Sequence, residues 1–105
     1  MTTPTDSRPD LLTVVTSMRA KPGMEKGLRE TLEGLVQPTK QEAGCVNYDL
    51  HQSVSDPAVF YFYENWETPE HLDAHMGTPH IQQALGRVDE LLDGALIIER
   101  LRRIG

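Results

Sequence analysis

Eight consecutive residues, Val59-Phe60-Tyr61-Phe62-Tyr63-Glu64-Asn65-Trp66, hold five of the chain's six aromatic side chains. An unbroken run of aromatic and β-branched residues of this length reads as a strand. Successive side chains of a strand point to opposite sides. Phe60, Phe62, Glu64 and Trp66 therefore share one face, and Tyr61 and Tyr63 the other. A strand with one wet face would alternate apolar with polar; here both faces carry large rings and both need covering. One layer must come from the rest of the chain, and something else must meet the second face.

The flanking segments supply the first layer. Leu11 to Ala20 is rich in β-branched residues and stops at the turn signal Lys21-Pro22-Gly23. From Met24 the period changes: Leu28, Leu32, Leu35 and Val36 line one side of a helix. Pro38 is expected to kink or end it, with a further turn through Glu42 left open before Gly44. Cys45 to Gln52 alternates, with Val46, Tyr48 and Leu50 on one side and Asn47, Asp49 and His51 on the other. The short turn to Val59 makes these two strands a hairpin. Thr68-Pro69 and Thr78-Pro79 each read as an N-cap followed by proline at the first helical position. Gly77 ends the first of these helices, and the second carries Ile81, Ala84, Leu85, Val88, Leu91 and Leu92. A last strand follows Asp93-Gly94.

The order β-α-β-β-α-α-β is the split βαβ pattern of a ferredoxin-like α+β fold, a four-stranded antiparallel sheet with its helices on one face. A single domain is expected over residues 11–105, after a polar, proline-broken tail over residues 1–10. The uncovered sheet face is expected to pack on a second copy, giving a homodimer.

With 105 residues there is room for one modest core and no separate cofactor domain. Ten Lys and Arg stand against sixteen Asp and Glu, a formal charge of -6, so no basic surface exists to collect nucleic-acid phosphates. The one cysteine, Cys45, cannot form an internal disulfide, which suits a reducing compartment. No apolar stretch has the length of a membrane span or a signal peptide. A soluble cytoplasmic protein with no membrane partner is the expectation.

Three of the four histidines crowd into residues 71–80. His71 and His75 have the i, i+4 spacing of paired metal ligands, but no HExxH glutamate or nearby cysteine completes a set. The metal reading is set aside, and His71 is read as a surface residue. His75 lies at i+3 from Leu72, on the flank of the apolar face, and His80 follows Pro79 in the next helix. A neutral imidazole beside a closed cavity exchanges protons near pH 7. Glu64 is a carboxylate on an aromatic face, which either raises its pKa or demands a partner. If that face meets the helices, Glu64, Trp66 and His75 converge there, with Tyr48 in reach and Phe62 on the same face. Glycine signatures of nucleotide sites are absent, as are those of nucleophile elbows.

The runs "AKPGMEKGLRETLEGLVQPTKQEAGCVNYDLHQS" and "DPAVFYFYENWETPEHLDAHMGTPHIQQAL" resemble the antibiotic biosynthesis monooxygenase family, in particular its small quinol monooxygenase-like members. The resemblance is carried by Lys21-Pro22-Gly23, Glu42-x-Gly44-Cys45-x-x-Tyr48, Glu64-x-Trp66 and His75-Met76-x-Thr78-Pro79-His80, in that order. It implies a dimeric α+β barrel and oxygenation of a quinol or polycyclic phenol by O₂ without metal, flavin or haem. On that reading His75 is the base or anion partner, Tyr48 and Glu64 complete the catalytic set, and Trp66, Phe62, His80 and Asn47 bind the ring. A haem-cleaving branch is disfavoured, because no histidine lies along the helix after His80. An isomerase branch would need a cationic phosphate grip, for which Arg19 is the one candidate. A non-catalytic dimer that binds aromatic metabolites is the remaining alternative.

Overall fold

The structure, a computed structural model, describes residues 10–105; all of the expected tail except Asp10 lies outside the described residues. Four strands, β1 (Leu12–Arg19), β2 (Cys45–Gln52), β3 (Val59–Trp66) and β4 (Ile97–Leu101), form one antiparallel sheet in the order β2-β3-β1-β4. Helix α1 (Glu25–Lys40) connects β1 to β2. Three short helices, α2 (Pro69–Met76), α3 (Pro79–Leu85) and α4 (Val88–Leu91), connect β3 to β4. The sheet is open, and the architecture is the ferredoxin-like α+β arrangement.

Burial follows the strand alternation. Val14, Thr16, Met18, Tyr48, Phe60, Phe62, Glu64 and Trp66 are all buried on the helix side. Leu28, Leu32, Leu35 and Thr39 of α1 come down on them, joined by Leu72, Ile81 and Leu91 from the shorter helices. On the opposite face, Tyr61 and Tyr63 keep 41% and 37% of their surface, and Ile97 and Leu101 keep 57% and 42%. The register aligns Ser17 with Ile97 and Thr13 with Leu101, so these apolar groups share that second face.

The structure departs from the sequence expectations at several points. Pro38 neither ends nor visibly breaks α1, which runs on to Lys40. It sits in the last turn, where its missing N–H removes a single intrahelical bond. The helix expected from Pro79 to Leu92 is two pieces, because the Arg87 N–H bonds to Ala84 O one residue short of the α-helical register. β2 bulges between Cys45 and Asn47, so Cys45 rather than Val46 packs against the core. Only the first Thr-Pro pair caps as expected, with Thr68 Oγ1 accepting from the His71 N–H at 3.2 Å. The Thr78 hydroxyl instead donates to His75 O at 2.8 Å. No helix among the described residues is long and apolar enough to cross a membrane.

Candidate active site

β3 builds one wall of the site because it is regular throughout. With no bulge on it, alternation delivers Phe62, Glu64 and Trp66 to the helix side in succession. The β2–β3 register sets Tyr48 beside Glu64 and Leu50 beside Phe62. The rings of Tyr48 and Phe62 stack with centroids 4.3 Å apart. On α2, the i+3 offset from buried Leu72 carries His75 inward to 3% exposure. Its ring meets Trp66 at 4.7 Å and the edge of Tyr48 at 5.4 Å. Tyr48, Glu64, Trp66, Phe62 and His75 are thus brought together.

Between Phe62 and Glu64 of this wall and α1 lies a cavity of about 80 Å³. Trp66, fully buried behind His75, is not in its lining, contrary to the expectation that it binds the ring. Leucines, Val14, Met18 and Phe62 make most of its lining; Glu64, Tyr48, His75, Thr16 and Thr31 are the polar residues. Partly exposed Met76, Leu85, Val88, Leu96 and Ile98 lie among its lining residues as well. The volume is below the roughly 150 Å³ of an engineered cavity that accepts benzene, so a ring enters only as such side chains give way.

Glu64 is 4% exposed and has two donors, Trp66 Nε1 to Oε1 at 2.9 Å and Thr16 Oγ1 to Oε2 at 3.3 Å. Burial raises its carboxyl to about 7; the two hydrogen bonds oppose this, and the charge of Glu42 adds to it. Burial, then the Glu64 charge, pushes the Tyr48 phenol above its usual range. The Thr39 hydroxyl pulls the other way, but it has no partner at good hydrogen-bond geometry, so that contact is weak. Burial also lowers the pKa of His75, against the pull of Glu42.

The raised Glu64 makes a stability prediction with a definite sign. Native protein holds this proton more tightly than the unfolded chain. The contribution is complete below pH about 4.5 and lost as pH rises towards 7. Against Glu64→Gln, the wild type should therefore lose on the order of 3 kcal/mol between pH 4.5 and 8. Urea unfolding of both proteins across that range checks this, and parallel curves would refute it.

One residue of the site carries no role in the sequence reading. Glu42, just past the end of α1, receives the Nδ1–H of His75 at 2.9 Å and the Nε2–H of His80 at 2.6 Å on the same oxygen, Oε2. With Nδ1 engaged, the free nitrogen of His75 is Nε2, on a side chain that lines the cavity. Glu42 stood in sequence as the first residue of the Glu-x-Gly-Cys run, and its position before a turn glycine was the available signal. His80 contacts Glu42 but not the cavity. Asn47 is on the other face of the sheet, where it hydrogen-bonds Asp49, Tyr63 O and Asn65. Arg19 pairs with Asp56 at the surface, 2.8 Å apart, and not in the cavity lining. His71 is not a bare surface residue: its ring lies against Gly44, and its Nδ1 is 2.8 Å from Thr68 Oγ1.

A ferredoxin-like α+β domain with an apolar cavity between sheet and helices, edged by an imidazole and a buried carboxylate, is the class that fold and site define. The chain belongs to the antibiotic biosynthesis monooxygenase family, which matches residues 11–87. Rv0793 of Mycobacterium tuberculosis is 33% identical over 79 residues, 75% of this chain and 77% of that protein. YgiN of Escherichia coli, named a probable quinol monooxygenase, is 30% identical over 82 residues, 69% of this chain and 79% of YgiN. The crystal structure of PA3566 from Pseudomonas aeruginosa superposes with a TM-score of 0.87 at 34% identity, covering 91% of this chain and 96% of that one.

Proposed function

We propose that this protein is a monooxygenase that oxidises a quinol or polycyclic phenol with O₂ and needs no bound cofactor. The observation that supports this best is His75, held from behind by Glu42, on the wall of an apolar cavity also lined by Tyr48 and Glu64. Glu42 fixes the Nδ1–H tautomer, which leaves Nε2 to accept a phenolic proton. The phenolate is electron-rich enough to pass an electron to O₂, and the resulting radicals join at a ring carbon. The hydroperoxide then loses water. A ring C–H becomes C–O, one oxygen atom leaves as water, and the substrate supplies all four electrons. Tyr48 and protonated Glu64 are donors for the oxygen-derived anion, and the dry cavity strengthens those bonds.

The same reading places a second copy on the exposed Tyr61, Tyr63, Ile97 and Leu101 face, in a protein of the reducing cytoplasm. An isomerase of phosphorylated substrates is less well supported, since Arg19 lies outside the cavity lining.

Oxygen uptake by chelator-treated protein tests the proposal across a panel of hydroquinones, naphthols and anthrones. The expected result is substrate-dependent uptake with one ¹⁸O atom in the product and none consumed as peroxide. Tight binding of the same compounds, quenching Trp66 fluorescence without uptake above background, would reduce the protein to a binding module.

A further inference from the structure

The contact of two histidines with one carboxylate oxygen has a second chemical meaning. Glu42, His75 and His80 offer three ligand atoms, all within 4.8 Å of one another. They come from three elements: the turn after α1, the last turn of α2 and the first turn of α3. His75 Nδ1 and His80 Nε2 approach Glu42 Oε2 at 2.9 and 2.6 Å. Ligand atoms set tetrahedrally around one ion at about 2.0–2.1 Å stand roughly 3.3–3.4 Å apart. The carboxylate oxygen must draw back from both imidazoles, by about 0.7 Å from His80, for the hydrogen-bonded trio to become a coordination set. The glutamate and His80 side chains retain 13% and 23% of their surface, so solvent can reach the fourth position.

We infer that Glu42, His75 and His80 form a reversible site for a borderline divalent cation of the zinc class, and that loading it switches the enzyme off. Two imidazoles and one carboxylate with an open position are a donor set for Zn²⁺ and its neighbours. His71, the i+4 partner of His75 in sequence, takes no part. Inhibition follows from tautomer chemistry. A cation on Nδ1 displaces that proton, and a neutral imidazole so bound carries its hydrogen on Nε2. The nitrogen that would take the substrate proton becomes a donor. Binding itself is independent of the oxygenase reading; the inhibition rests on it.

The test is titration of the chelator-stripped full chain with Zn²⁺, in competition with a chromophoric chelator, and with Co²⁺ followed by its visible absorption. One ion per chain is expected, and Co²⁺ should quench Trp66, whose ring is 4.7 Å from that of His75. Glu42→Gln and His80→Ala should each weaken binding by more than the about 10–100-fold that follows loss of an outer-shell partner. His80 is half-buried at a helix start, so His80→Ala should keep the fold, as circular dichroism would verify. His51→Ala and Cys45→Ser should bind as the wild type does. Failure of the wild type to bind Zn²⁺ at micromolar concentration overturns the site. Affinity unchanged by Glu42→Gln and His80→Ala, or lost in Cys45→Ser, overturns it equally. With the site established, Zn²⁺ that binds without slowing oxygen uptake overturns the switch alone. Absence of oxygen uptake in the metal-free protein overturns the oxygenase reading and leaves the site standing.

Discussion

His75→Ala is expected to lower kcat/KM for phenol oxidation by about 10²–10⁴-fold, the usual worth of a positioned general base. His75 is the imidazole that lines the cavity, and Glu42 holds its Nδ1, which leaves Nε2 for the substrate proton. The loss should fall on kcat more than on KM, because Phe62, Tyr48 and the leucines still bind the ring. Exogenous imidazole should restore part of the rate, since truncation leaves a hole of matching shape beside Trp66. Glu42→Gln tests the same logic from outside: the base remains but its tautomer is no longer enforced, so a smaller fall in kcat is expected. Oxygen uptake under saturating substrate measures each effect. If His75→Ala turns over like the wild type while folded, His75 is not the base. Glu64, which titrates near neutrality, would be the group to examine instead.

How much of this was legible beforehand follows from the range of the forces involved. Alternation along Val59–Trp66 and the i+3 spacing of Leu72 and His75 are local, and they correctly put Glu64, Trp66 and His75 on surfaces that meet. Hydrophobic periodicity likewise gave α1 its buried side. The bulge in β2 was not legible, because a bulge exists only relative to the partner strand. The break between α3 and α4 turns on one backbone bond at Arg87, which leaves no mark on the apolar pattern. Asn47 shows where residue type misleads: the alternation that puts Tyr48 inward puts its neighbour outward. Glu42 shows the opposite failure. It is 33 residues from His75, and no periodicity links the end of one helix to the last turn of another. Its aim is set by the turn between α1 and β2.

That turn is the basis of the second large effect. Gly44 has φ +80°, a conformation in which a side chain costs about 1–2 kcal/mol. A Cβ there would also land on the imidazole of His71, with no open space to receive it. Gly44→Ala should therefore destabilise by about 2–4 kcal/mol, lowering Tm by on the order of 10–20 °C. His71→Ala in the same chain should recover the steric share and leave only the backbone share. A Gly44→Ala variant within 0.5 kcal/mol of wild type, about the scatter of neutral surface changes, would show that the turn relaxes freely. The consequence reaches the chemistry, because Gly44 O accepts from the Glu67 N–H and Glu42 O from the Cys45 N–H. These two bonds tie the turn to the ends of β3 and β2, and His71 wedges α2 against it. Pushing His71 away from Gly44 rotates α2, which carries His75, relative to the turn that carries Glu42. At a temperature where the variant is still folded, its kcat should already be reduced and its KM little changed. A loss of stability with full kcat would mean that Glu42 follows His75 as the helix moves.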